Sequence, residues 1–91
     1  MYYIYILECD NAFFYVGLTK NLKTRLIQHQ EHQSLHTKRY KSIRLVYSEK
    51  LNKRIDAEKR ETQLKGWSRA KKKALIAGDI ERLKSLSKSI S

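Results

Sequence analysis

The sequence has no proline, three glycines and a single cysteine, and its acidic residues are few. One cysteine, Cys9, excludes an internal disulfide and any multi-cysteine zinc site. No apolar stretch is long enough to span a bilayer, and the N-terminus lacks the basic start and the cleavage site of a signal peptide. The lack of a proline-rich linker or a break in composition indicates one domain. We therefore expect a cytoplasmic protein that does not act in the membrane.

The charge balance of the chain is strongly basic. Twenty Lys and Arg residues stand against nine Asp and Glu residues, which gives a formal net charge of +11 at pH 7. A surplus of this size concentrates polyanions around a protein, whereas it does little for a compact fold. Nucleic acid is therefore the expected partner. A membrane surface is the weaker alternative, and a protein partner stays open.

Hydrophobic patterning predicts three strands and four helices. β-Branched and aromatic residues favour strands at residues 2–8, 13–18 and 43–48, of which the first two form a hairpin. Helical spacing favours helices at residues 21–33, 53–66 and 69–77, with a short fourth helix after Asp79. The order ββαβα predicts an α/β (α+β) domain, a three-stranded, mostly antiparallel sheet flanked by helices. We expect this domain to span residues 1–80 and residues 81–91 to form a helical extension with a frayed end.

Capping residues and apolar spacing support the helices. Asn21 and Ser68 are the expected N-caps of the first and third helices, because their side chains accept a hydrogen bond from the first turn. In the fourth helix, Ile80, Leu83 and Leu86 recur at helical spacing and are expected to face inward.

The register of the hairpin decides how its tyrosines are arranged. A three-residue loop at residues 9–11, with Asn11 in the left-handed region, places Tyr5 directly opposite Tyr15. A two-residue loop would place the two phenols on opposite faces of the sheet. Gly17 follows Tyr15 on the same face and leaves a gap where a backbone or a ligand can approach. The tyrosines are then either a stabilising cross-strand pair or part of a site.

Basic side chains form a stripe on the first predicted helix. Arg25, His29 and His32 fall on one side of this helix, next to the two leucines that must face the sheet. The stripe is either a solvated basic face or a phosphate-binding site. The second alternative is possible because Arg donates hydrogen bonds in a fixed fork and His exchanges protons near neutral pH. A zinc site made from all three histidines of the chain is disfavoured, because no carboxylate or cysteine has a matching spacing.

A carboxylate interrupts the apolar side of the second predicted helix. Glu61 lies on the same side as Ala57 and Leu64, and Glu58 lies at the margin. Carboxylates are seldom buried alone, so Glu61 must be paired, protonated or bound to a cation. The alternatives are an ion pair with Lys or Arg and a divalent ion such as Mg²⁺, held by one carboxylate, waters and a substrate phosphate.

Taken together, these residues resemble the GIY-YIG nuclease superfamily. Its two namesake triplets correspond to Tyr3-Ile4-Tyr5 and Tyr15-Val16-Gly17, and the similarity extends over residues 2–77. In size the chain is similar to the small stand-alone bacterial proteins of this superfamily. It departs from the family pattern in two places: Tyr3 replaces the first glycine, which is expected to narrow the site, and no asparagine lies beyond Asn52.

The resemblance implies a set of catalytic residues. Arg25 and His29 in "NLKTRLIQH" match the Arg and His of the family, and Glu61 in "AEKRETQLK" matches its metal-binding Glu. The implied activity is hydrolysis of phosphodiester bonds in DNA with one Mg²⁺ or Mn²⁺. Tyr5 and Tyr15 are the implied active-site phenols, one of which relays a proton from the attacking water. The ion, Arg25 or His29 is expected to favour a phenolate or its transient deprotonation.

Structure-specific rather than sequence-specific recognition is expected, since no recognition helix or finger spacing is visible. The basic residues expected to bind nucleic acid are Lys38, Arg39, Lys41, Lys65, Lys71, Lys72 and Lys73. Two other functions stay open. One is a non-catalytic module that binds DNA or RNA through the same basic surface, and the other is an adaptor whose C-terminal helices dock on a protein.

Overall fold

The structure, a computed structural model, describes residues 1–34 and 37–88. Its strands are β1 (Tyr2–Cys9), β2 (Phe13–Thr19) and β3 (Ile43–Leu51). Its helices are α1 (Leu22–Gln30), α2 (Arg54–Lys65), α3 (Arg69–Ala77) and α4 (Ile80–Lys88). The predicted order of elements is confirmed, and β3 is three residues longer than predicted. No helix in these two ranges is long and apolar enough to cross a membrane.

The three strands form one sheet in the order β2-β1-β3, and both pairs are antiparallel. The predicted α+β fold with an antiparallel sheet is therefore confirmed. On one face of the central strand, Ile4 and Ile6 pack with Ala57 and Leu64 of α2. On the other face, Tyr5, Leu7 and Cys9 pack against the leucines of α1. The sheet thus lies between α1 on one side and α2 on the other.

The predicted hairpin register is wrong by one residue on each strand. Tyr5 pairs with Gly17, and Leu7 is the residue opposite Tyr15. The three-residue loop lies at residues 10–12 instead of 9–11. Because both registers keep the same parity, Tyr5 and Tyr15 still share a face, and their ring centroids are 6.3 Å apart.

The turn conformation explains this register. Asn11 has the expected left-handed backbone, but Asp10 adopts it as well, with φ of 55° and 53° respectively. Asp and Asn tolerate this region because their short side chains form local hydrogen bonds. Asp10 therefore belongs to the loop, and the last pair of the hairpin is Cys9 with Phe13.

Helix ends follow the predicted caps. The Asn21 side chain accepts a hydrogen bond from the backbone N–H of Thr24, and Ser68 Oγ accepts one from that of Lys71. The fourth helix differs from the prediction at its start, because Ile80 is 56% exposed whereas Leu83 and Leu86 are half-buried. This helix packs chiefly against α3 rather than on the sheet, so part of its apolar side stays uncovered.

The boundary predicted at residue 80 stays a prediction. The frayed end expected for the helical extension falls partly on residues 89–91, which lie outside the described residues.

The gap predicted at Gly17 is filled by the phenol of Tyr5. A methyl group built on Gly17 would lie 2.8 Å from Tyr5 Cε1 and closer still to Cζ and Oη. Real side chains do not approach so closely, so any larger residue at this position must displace the ring. Glycine is needed here because the ring lies against the backbone of β2.

We expect Gly17→Ala to lower the free energy of unfolding by about 1–3 kcal/mol through overpacking. Urea denaturation measures this change. Gly66→Ala is the matched control, because a methyl group there would be 3.5 Å from the Gln63 carbonyl oxygen, an ordinary contact, and φ is −82°. The control should stabilise the fold by up to about 1 kcal/mol. Equal effects of the two substitutions would contradict the packing argument.

Candidate active site

A buried hydrogen bond joins β1 to α1 at the centre of the site. The Tyr5 hydroxyl oxygen lies 2.9 Å from His29 Nε2, and both residues are at most 1% exposed. Tyr15, half-buried, has its ring centroid 5.3 Å from that of His29. His29 is the one fully buried residue of α1. The rings of both tyrosines therefore pack against the same imidazole.

Arg25 lies one helical turn before His29 and faces the same phenols. Its Nη1 donates to Gln28 Oε1 at 3.3 Å, while its buried Nε has no hydrogen-bond partner among the described residues. The guanidinium is close enough to lower the pKa of both Tyr5 and Tyr15. Arg25 is therefore part of the site rather than of a solvated basic face.

Burial dominates the acidity of the two phenols. It raises the pKa of Tyr5 and of Tyr15, and the opposing effect of Arg25 is smaller, so both pKa values lie above the ordinary value for tyrosine. Both phenols are therefore neutral near pH 7. Of the two expected alternatives, a standing phenolate and a transient deprotonation, the raised pKa values favour transient deprotonation.

A threonine that the sequence analysis did not select completes the buried chain. Thr37 Oγ1 lies 2.6 Å from His29 Nδ1, and Thr37 is fully buried. If Nδ1–H donates to Thr37, then Nε2 accepts from the Tyr5 hydroxyl, and the opposite tautomer reverses both bonds. Thr37 belongs to the irregular loop between α1 and β3, where no periodic pattern marks a buried residue.

Glu61 lies at the margin of this cluster. Its side chain is 22% exposed, and its Oε2 lies 3.4 Å from Lys65 Nζ, so the expected ion pair is present but long. The Lys65 side chain is 55% exposed, and pairs of this kind stabilise a fold weakly. The negative charge of Glu61 raises the pKa of both Tyr5 and Tyr15, which indicates that it faces the same site.

Comparison with known proteins identifies the family of this chain. The family model of the GIY-YIG catalytic domain matches residues 1–74, which include all of the residues described above. The chain belongs to the GIY-YIG family.

Its relatives within the GIY-YIG family are proteins of similar length. A UPF0213 protein of Staphylococcus saprophyticus is 38% identical over 77 residues, which cover 84% of this chain and 94% of the relative. A UPF0213 protein of Syntrophus aciditrophicus is 37% identical over 83 residues, which cover 89% and 95%. The solution NMR structure of a UPF0213 protein from Bacillus halodurans matches with a TM-score of 0.56 and 30% identity, over 96% of this chain and 98% of that one. The predicted resemblance is confirmed.

His32 does not join His29 in the cluster. His32 lies beyond the end of α1, is exposed and has a φ of 60°, so it does not continue the predicted stripe. His36 lies outside the described residues. Within residues 1–34 and 37–88, no group of three or more His, Cys, Asp or Glu side chains could hold a metal ion.

The basic residues expected to bind nucleic acid differ in exposure. Lys38, Arg39, Lys41, Lys65 and Lys73 are exposed. Lys72 is half-buried, and loss of hydration lowers its pKa.

Lys71 does not have the exposed position that the predicted role requires. It is 8% exposed, and its Nζ lies 4.4 Å from the ring centroid of Trp67. Its ammonium is held over the indole by a cation–π contact. Helix α3 turns this residue toward Trp67 because Lys71 lies one turn before the buried Ala74.

We expect Thr37→Val to lower the free energy of unfolding by about 1–3 kcal/mol, because it leaves His29 Nδ1 buried without its hydroxyl partner at nearly unchanged side-chain volume. Thr37→Ser retains the hydroxyl and should restore most of the loss. Denaturation of the three proteins at one pH measures the difference. A valine variant as stable as the parent would show that the 2.6 Å contact contributes nothing.

Proposed function

We propose that this GIY-YIG domain is a metal-dependent endonuclease that hydrolyses phosphodiester bonds in DNA and recognises substrate structure rather than sequence. The observation that carries the proposal is the buried chain of hydrogen bonds from Tyr5 through His29 to Thr37. Arg25 and Glu61 stand beside this chain, so proton-transfer groups, a cation and a carboxylate meet at one place.

Stability alone explains this arrangement poorly. A histidine and two hydroxyl groups can be buried when each is hydrogen-bonded, but an apolar cluster would fill the same space without that requirement. The buried Nε of Arg25, which lacks a hydrogen-bond partner in the described part of the chain, adds a further cost. Local losses of stability of this kind are typical of functional sites.

Proton transfer in this mechanism runs through Tyr5. Hydrolysis requires the attacking water to lose a proton, and Tyr5 can pass this proton on because its hydroxyl oxygen lies 2.9 Å from His29 Nε2. With Nδ1–H donated to Thr37, His29 Nε2 accepts the proton that leaves Tyr5. The raised pKa of Tyr5 means that the phenol takes and passes a proton within one step. Tyr15 is more exposed and orients the water or the phosphate.

Charge stabilisation in this mechanism comes from Arg25 and from a divalent ion. The guanidinium of Arg25 donates in a fork that matches phosphate oxygens. Glu61 fits as the protein ligand of one Mg²⁺ or Mn²⁺, because Mg²⁺ is commonly held by one carboxylate together with waters and substrate phosphates. When bound, such an ion neutralises charge on the scissile phosphate.

The second candidate is a nucleic-acid-binding module without cleavage. The proposed cleavage requires a water molecule to reach the Tyr5 hydroxyl, but Tyr5 is only 1% exposed. This burial favours a module that binds nucleic acid without cleaving it. The pairing of Glu61 with Lys65 favours it as well. Such a module would retain salt-dependent binding of DNA or RNA and would lack metal-dependent cleavage.

We expect Glu61→Gln to abolish Mg²⁺- or Mn²⁺-dependent cleavage, because the amide keeps the shape but not the charge that holds the ion. Affinity for nucleic acid should stay equal or rise, since a negative charge is lost. Stability should stay close to that of the parent, because the ion pair with Lys65 is long and half-exposed. Cleavage of duplex, single-stranded, forked and branched DNA, with matched RNA, measures the activity.

Glu58→Gln is the matched control for this experiment. Glu58 is exposed on the same helix and pairs with Arg54 at 2.8 Å, so its substitution should leave cleavage unchanged. Cleavage that survives in Glu61→Gln would assign the ion to another group. Absence of cleavage by the unmodified protein on every substrate would favour the binding module.

Binding is expected to depend on salt through exposed lysines. Lys38→Gln and Lys73→Gln should each weaken binding to all sequences alike and reduce the slope of log affinity against log salt by about 1, as expected for one lost phosphate contact. Lys71→Gln should leave the slope unchanged, because this lysine is buried over Trp67. Slopes for Lys38→Gln and Lys73→Gln equal to that of the parent would contradict the electrostatic account.

A further inference from the structure

An aromatic pair, exposed at Phe13 and half-buried at Tyr40, lies beside the active site at the hairpin end of the sheet. Phe13, the first residue of β2, is 56% exposed, and its ring centroid is 5.6 Å from that of Tyr40. Phe13 and Tyr15 are two residues apart on one strand, so they project from the same face at a spacing of about 6.6 Å. The aromatic pair is thus one step along β2 from the active-site phenol.

A cation covers the second ring of this pair. The guanidinium carbon of Arg39 lies 5.0 Å from the ring centroid of Tyr40, and Arg39 Nη2 donates to the Tyr40 hydroxyl at 2.9 Å. The neighbouring Lys38 and Lys41 are both exposed. The pair therefore combines the exposed ring of Phe13 with positive charge, the combination that binds single-stranded nucleic acid in proteins.

Asp10 fixes the two halves of this surface relative to each other. Its Oδ1 accepts from the backbone N–H groups of Lys41 and Ser42 at 2.9 and 2.8 Å, and its own N–H donates to the Ser42 carbonyl at 2.8 Å. The hairpin turn, which carries Phe13, is thereby tied to the loop that carries Tyr40. A surface fixed in this way loses little conformational entropy when it binds a ligand.

Other large hydrophobic side chains are exposed in the described residues, and they differ from Phe13. Ile27, Ile55 and Ile80 are 43–56% exposed, but they are aliphatic, and scattered exposed residues of this kind are normal. Phe13 has an aromatic partner, Tyr40, and the guanidinium of Arg39 lies over the ring of that partner. The whole protein has a formal net charge of +11. This surface is therefore complementary to a polyanion that also carries flat rings, rather than to an apolar protein face.

We propose that Phe13 and Tyr40, with Arg39, form a stacking site for an unpaired nucleobase next to the phosphate bound at Tyr15. The proposal rests on the proposed function in so far as the chain binds nucleic acid. Within a duplex the faces of each base are covered by the neighbouring bases, so a protein ring can stack only on a base that is unpaired and unstacked. The substrate class is therefore DNA or RNA with unpaired nucleotides beside the scissile bond.

The test compares binding of single-stranded and duplex oligonucleotides that carry one 2-aminopurine, with EDTA present to prevent metal-dependent cleavage. We expect Phe13→Ala to lower single-strand affinity at least about 5-fold, in the range known for loss of base stacking, and to abolish the quenching of 2-aminopurine. Duplex affinity and the salt slope should stay unchanged. Phe13→Tyr keeps a ring and should retain both signals.

Ile55→Ala is the matched control, because Ile55 is 55% exposed, as Phe13 is to a similar extent, but is aliphatic and lies on α2. It should change neither affinity, and equal melting temperatures would show that each variant is folded. Unchanged single-strand affinity and quenching in Phe13→Ala, with nucleic-acid binding intact, would overturn the stacking site and leave the proposed function standing. Absence of salt-dependent binding by the parent protein would overturn both, and a protein partner would then be the alternative for this surface.

Discussion

The packing of the Tyr5 ring over Gly17 is the contact on which the arrangement of the site depends. The two residues are directly opposite each other in the antiparallel pair, and a larger side chain at Gly17 would occupy the volume of the phenol. Because the ring lies against the backbone of β2, its hydroxyl reaches the imidazole of His29 on α1. One glycine thus sets the distance between the sheet and the helix that supplies His29 and Arg25, and Thr37 holds the imidazole from the other side.

The two faces of the sheet bury different kinds of side chain, and Glu61 is the candidate site residue that comes from α2. On the α2 side, Ile4, Ile6 and Leu64 form an apolar cluster with few polar requirements. On the α1 side, the buried set includes Tyr5 and His29, whose polar atoms must all find partners. Such a network fixes one arrangement when it is satisfied and costs free energy when it is not. The division allows the polar side to change its chemistry while the apolar side maintains the fold, which agrees with a family defined by a few side chains on a common scaffold.

Local rules were enough to predict most of the fold, whereas contacts distant in sequence determined the rest. The caps at Asn21 and Ser68 depend on neighbouring residues and were predicted correctly. The hairpin register was not, because Asp10 leaves the strand to accept hydrogen bonds from a loop that lies 31 and 32 residues later. The role of Thr37 was not predicted for the same reason, since its burial depends on the imidazole of His29, eight residues earlier, and not on a periodic pattern. The residues that share a face, Tyr5 and Tyr15, were predictable because strand alternation survives an even shift of register.

The net charge overstates how much positive surface is available to a partner. Arg60 pairs with Glu49 at 2.8 Å and lies 5.3 Å from the ring centroid of Trp67, and Lys71 covers the same ring. Arg69 donates to the Ala12 carbonyl and lies over Phe14, so it holds α3 to the hairpin. These cations attach α2 and α3 to the sheet, and a composition count cannot distinguish them from binding residues. The cations that stay exposed beside the site, Lys38, Arg39 and Lys41, follow the buried Thr37 within the loop. The loop that contacts the buried imidazole through Thr37 is therefore also the loop that presents positive charge to solvent.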